Sequence, residues 1–95
     1  MINYALIGEM LLHPTAQRIL AVMAQAETMT VSPKQLADEM SEPIGNISYH
    51  VGTLAGARAS SPFHDSPLLE LVDTEPRRGA VEHFYRLTRR AVASS

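Results

Sequence analysis

Four side chains in Gly45–Leu54, GNISYHVGTL, share one kind of chemistry: Asn46, Ser48, Tyr49 and Thr53 all make hydrogen bonds. Asn can pair bidentately with adenine, and Ser and Thr can bond bases or phosphates. Tyr can donate to phosphate or pack on a thymine methyl. On a helix with Ile47, Val51 and Leu54 turned inward at i, i+4 and i+7, these four residues and Gly52 face outward. A helix can read DNA only in this way, with one face on a scaffold and the other in a major groove about 12 Å wide. The helix start, near residues 44–46, also favours a phosphate through its free N–H groups. An ordinary surface helix has the same polar side, and the segment alone does not decide between the two.

A second cluster, EPRRG at Glu75–Gly79, sets Arg77 and Arg78 side by side where a β-hairpin is expected to turn. Pro76 suits an early turn position and Gly79 supplies a positive φ. Two arginines at an exposed tip suit the DNA backbone or an A·T-rich minor groove. The alternative is a solvated turn. Coming after a helix, a turn and a second helix, the cluster reads as a DNA contact. Lys34, near the start of the first of those helices, can touch phosphate.

These residues need elements to position them. Tyr4–Leu12 is apolar with helical spacing through Leu6, Ile7, Met10 and Leu11, until His13–Pro14 interrupts it. Pro14 or Thr15 opens the next helix, with Ile19, Leu20 and Met23 buried. Thr28–Val31 is short, β-branched and alternating, and predicts an edge strand pairing with the later hairpin. Ser32–Pro33 is a helix start, with Ser as N-cap and Pro in the first position. Leu36, Ala37 and Met40 point inward. Ser41-Glu42-Pro43 is the turn, and the second helix is predicted over Ile44–Ala57, weakened by Gly52 and Gly56. Residues 57–67, ARASSPFHDSP, are small, polar and proline-broken, and read as a mobile loop of about ten residues. Leu68–Thr74 and Ala80–Thr88 are the hairpin strands, and the closing RRAVASS extends a terminal helix or frays.

Composition bounds the function. Ninety-five residues allow one domain, and a core this small leaves room for self-association to add stability. No apolar run reaches the roughly eighteen residues of a membrane span, and the start lacks the basic region of a secretory signal. The absence of cysteine excludes disulfides and thiolate metal sites and suits a cytoplasmic location. The net charge of −2 is unevenly spread: −3 up to Ala57 and +1 from Arg58 onward. Local potential steers a polyanion more than net charge does. The histidines at 13, 50, 64 and 83 have no paired metal-ligand spacing, with His64-Asp65 the nearest approach. His50 reads as a partly buried residue bonding the scaffold or a dimer mate. No Ser–His–Asp arrangement or Gly-rich phosphate cradle is present. The chain is therefore read as a non-enzyme with no metal and no cofactor.

HPTAQRIL (His13–Leu20), SPKQLADEM (Ser32–Met40), GNISYHVGTL and LLELVDTEPRRGAVEHFYRLT (Leu68–Thr88) together resemble the winged helix-turn-helix regulators of the ArsR-like type, in their compact actinobacterial and phage form. The resemblance implies a homodimeric DNA-binding repressor or regulator, with Gly45–Leu54 as recognition helix and Arg77–Arg78 in the wing. The expected fold is mainly α with a small antiparallel β-sheet: one winged helix-turn-helix domain over 1–95, its helix-turn-helix at about 33–57 and its wing at about 68–88. The expected partners are double-stranded DNA and a second copy of the chain, with the apolar N-terminal helix as dimer surface. The expected DNA-binding residues are Lys34, Asn46, Ser48, Tyr49, Thr53, Arg77 and Arg78. A second reading makes the chain a protein-interaction module that has lost DNA binding. The acidic balance and the bare Gly52 suit it, with the 57–67 loop as docking element.

Overall fold

Helix α1, Pro14–Gln25, starts on a proline, whose missing N–H costs nothing in a first turn. His13 Nδ1 accepts the Thr15 N–H at 3.1 Å and so serves one of that turn's free donors. Ala16, Ile19, Leu20 and Met23 form its buried stripe. The computed structural model describes residues 13–25, 30–89 and 91. The apolar stretch Tyr4–Leu12 and the dimer surface expected on it lie outside the described residues, as do Thr28 and Met29.

Helix α2, Pro33–Met40, begins as the sequence predicts. Ser32 Oγ accepts the Gln35 N–H, and the Gln35 side chain accepts the Ser32 N–H, closing a capping box. Leu36, Ala37 and Met40 are buried. The helix stops at Ser41, which takes a left-handed conformation with φ 56°. Arg18 ties α1 to this turn, bonding Glu42 at 3.3 Å and the Met40 carbonyl at 3.4 Å.

Helix α3, Ile44–Leu54, buries Ile47, His50, Val51 and Leu54. It ends three residues before the predicted Ala57. The reason is Gly56: it lies outside the helix with φ +69°, and a Cβ there would strike the Phe63 carbonyl. Gly56 thus terminates α3 rather than weakening it, and only glycine fits.

The 57–67 segment is not the loose loop its composition suggests. Phe63 is 1% exposed and belongs to the main core cluster. Ser61 Oγ donates to the Thr53 carbonyl at 2.7 Å and accepts the Phe63 N–H at 3.0 Å. Leu68 N–H then bonds the Leu54 carbonyl at 2.8 Å, bringing the chain back beside the end of α3. One aromatic ring inserted under a polar crossing outweighs the polarity around it, because a buried Phe contributes roughly 1.5–3 kcal/mol.

Strands β1, Leu69–Arg77, and β2, Ala80–Leu87, pair antiparallel, with Leu69 opposite Leu87 and Arg77 opposite Ala80. The register shifts between Leu71 and Asp73, marking a bulge at Val72. The turn is only Arg78–Gly79, with Gly79 at φ +76°. The five-residue turn expected over Glu75–Gly79 is therefore corrected: Glu75, Pro76 and Arg77 extend β1. Pro76 is tolerated because β1 is an edge strand. Val31 pairs with Tyr85 on the other edge of β2 through bonds of 2.9 and 2.7 Å; of the edge strand expected over Thr28–Val31, the described residues show this isolated bridge alone. Leu69, Phe84 and Leu87 root the hairpin in the protein, while its distal half is exposed.

Candidate nucleic-acid interface

Helix α3 is held by its inner stripe, which leaves its outer side to solvent. Gly45, Asn46, Ser48 and Tyr49 are exposed, Tyr49 by 59%. Tyr49 is flanked on that side by glycines at i−4 and i+3, so the helix backbone lies close to the surface on both sides of the ring. Thr53 differs from the other three predicted readers. It is half-buried, its hydroxyl donates to the Tyr49 carbonyl at 3.1 Å, and it accepts a hydrogen bond from Arg58 Nη2. The Arg58 guanidinium lies 4.4 Å from the Tyr49 ring centroid, a cation–π contact.

His50 sits beneath this group, 4.7 Å from the His13 ring and 5.3 Å from that of Tyr49. Burial, followed by the nearby His13 and Arg58, pushes the His50 pKa below 6.5, so its neutral form is favoured. His50 therefore packs α3 against the start of α1.

The two hairpin arginines are in different states. Arg77 Nε donates to Glu82 at 2.7 Å and its Nη2 reaches Glu75 at 3.1 Å. The other Glu82 oxygen accepts from Ser32 Oγ at 2.5 Å. The Ser32 and Arg77 hydrogen bonds hold the Glu82 carboxyl below its usual pKa, and Glu82 and Glu75 raise that of Arg77. Glu82 thereby links the hairpin to the N-cap of α2. Arg78, at the tip, is exposed and has no partner among the described residues. Lys34 is exposed and pairs with Asp38 at 3.7 Å.

A groove of about 380 Å³ joins the two regions. It is lined by Lys34 from α2, Ile44 from the start of α3, and Arg77 to Glu82 of the hairpin except Gly79. The tip and the start of α3 therefore border one depression. The structure brings Lys34, Arg77 and Arg78 together there. Asn46, Ser48, Tyr49 and Thr53 continue along α3. Arg58 and Glu82 were not singled out in the sequence. No local sequence signal marks Arg58, whose placement depends on how the 57–67 segment packs against the end of α3.

Among the described residues, three helices with an antiparallel hairpin behind the helix-turn-helix make this a winged helix-turn-helix domain. A family model described as a helix-turn-helix domain matches residues 11–59, just over half of the chain, and the chain belongs to that family. No curated protein and no solved structure matches it. Among the described residues, no group of three or more His, Cys, Asp or Glu stands close enough to hold a metal ion. No described helix is long and apolar enough to cross a membrane.

Proposed function

We propose that the chain is a sequence-specific duplex DNA-binding transcription regulator of the ArsR-like type, acting in the cytoplasm as a homodimeric repressor without catalytic activity of its own. Helix-turn-helix domains place their second helix in the major groove. Asn46, Ser48 and Tyr49 read base edges, and Thr53 acts at the far end of the same face. Arg78 and Lys34 hold the backbone beside the groove, and Arg77 joins them once its ion pairs with Glu75 and Glu82 yield to phosphate. A two-fold dimer would set two such helices about 34 Å apart, one turn of DNA. The observation that carries this reading is the exposed, polar outer side of α3, bordered at its start by the same groove as the wing arginines.

The test is a mobility-shift selection on random duplex DNA at two salt concentrations. The proposal expects an enriched sequence and an affinity that falls steeply as salt rises. Charge reversal at both Arg77 and Arg78 should abolish the complex. One observation favours a second reading, a protein-interaction module: Arg77 is tied to two carboxylates of its own chain. Under that reading no duplex is enriched and the charge reversal does little, whereas substitutions at exposed residues of the 57–67 segment that leave Phe63 and Ser61 in place remove partner binding.

A further inference from the structure

Helix α3 contains no Lys, Arg, Asp or Glu in its eleven residues. His50 is buried and its neutral form is favoured, so α3 brings no full charge of its own to a polyanion. Its outer side also carries Gly52, a residue less favourable than alanine inside a helix. Arg58 occupies the surface beside that glycine. A Cβ on Gly52 would stand 3.3 Å from Arg58 Nη1, closer than most such contacts. Arg58 comes from the packed crossing after the helix and stands over the Tyr49 ring, with Nη2 bonded to Thr53.

We infer that Arg58 is a DNA-phosphate-binding residue, the positive charge of the recognition helix, supplied from outside the helix through the space left by Gly52. This inference rests on the DNA-binding reading above and deepens it. Three observations carry it. Arg58 has no carboxylate partner among the described residues, whereas Arg18, Lys34, Arg77 and Arg86 are each ion-paired. Its contacts are a ring face and a hydroxyl, which orient a guanidinium without neutralising it. Those contacts are Tyr49 and Thr53, two of the four residues expected to face the bases. Only Nη2 is committed to Thr53, so the rest of the fork remains for a phosphate oxygen. A phosphate contact of this kind adds affinity on every sequence and holds Tyr49 in place for the bases.

The experiment measures duplex affinity and its salt dependence, together with thermal midpoint, for wild type, Arg58→Ala, Arg58→Gln and the double variant Gly52→Lys/Arg58→Ala. The expected result for Arg58→Ala is about a tenfold loss on all sequences, with the salt slope reduced by about 1. Arg58→Gln, polar but uncharged, shows the same reduced slope. Gly52→Lys with Arg58→Ala restores the slope, because a lysine at 52 enters the vacated space. An Arg58→Ala protein with the wild-type salt slope, with or without a lower midpoint, assigns Arg58 to capping α3 and overturns this inference alone. Failure of the double variant to regain the slope while folded also overturns it. A wild-type chain with no salt-dependent duplex binding overturns both this inference and the reading beneath it.

Discussion

The end of α3 and the tip of the wing both present arginines beside the helix-turn-helix of this slightly acidic chain, and they do so in opposite ways. At the wing, the adjacent Arg77 and Arg78 look equivalent in sequence. One is held by two carboxylates and the other is bare. At the end of α3, Arg58 comes from a stretch that reads as a loop, yet it stands over Tyr49 with no carboxylate partner among the described residues. Exposure at a turn makes an arginine visible in sequence. The carboxylates that fold against it determine whether its charge is available.

The largest effect expected from breaking this comparison falls at Gly56. Gly56→Ala forces a Cβ into the Phe63 carbonyl at a left-handed φ, and should destabilise the domain by about 2–4 kcal/mol in denaturant titration. At the wing, Arg78→Ala should weaken duplex binding and lower the salt slope by about 1, whereas Arg77→Ala should lower it less, because Glu75 and Glu82 already compete for that cation. Equal losses from the two variants would erase the difference between the neighbouring arginines.

Glu82→Gln sharpens the same contrast. It keeps an acceptor for Ser32 but removes the charge that holds Arg77, so duplex affinity should rise at low salt. The pH behaviour has a defined sign. The Glu82 carboxyl is depressed in the folded protein by its bonds to Ser32 and Arg77. Its stabilising contribution is therefore present above the ordinary carboxylate range near 4.5 and is lost as pH falls through the lower folded value. Acid titration monitored by circular dichroism should show that loss in wild type and a flatter profile in Glu82→Gln.

The smallest expected effect is at His50. Arg58 is the last of three causes lowering its pKa, after burial and His13. Arg58→Ala should therefore move the His50 pKa slightly upward, still below 6.5, in an NMR titration of the ring protons. Because the unfolded chain binds a proton at His50 more readily, stability should also decline as pH falls from 6.5 toward the lower folded value. No change in the His50 titration would separate Arg58 from the helix it is inferred to serve.

Local signals carried much of the fold. Ser32–Pro33 marks the start of α2, the i, i+4, i+7 stripe of Ile47, Val51 and Leu54 marks the buried side of α3, and Gly79 marks the hairpin turn. Each is written within a few residues, where side-chain period and capping chemistry act. The features that were not legible depend on residues far apart or on one residue against the local trend. Ser32 meets Glu82 across fifty positions. Phe63 buries itself within a polar run, and Pro76 continues a strand where prolines normally mark a turn. For the site, the outer side of α3 followed from the core stripe, but the pairing of Arg77 and the placement of Arg58 depended on tertiary contacts.

The most direct measurement of the central claim is amide chemical-shift mapping of the isotopically labelled chain during titration with a duplex recovered by selection. The account predicts that the largest changes fall together on Gly45–Thr53 and on the hairpin tip around Arg78, with Arg58 moving alongside them. Changes concentrated elsewhere, with the outer side of α3 unmoved, would contradict it.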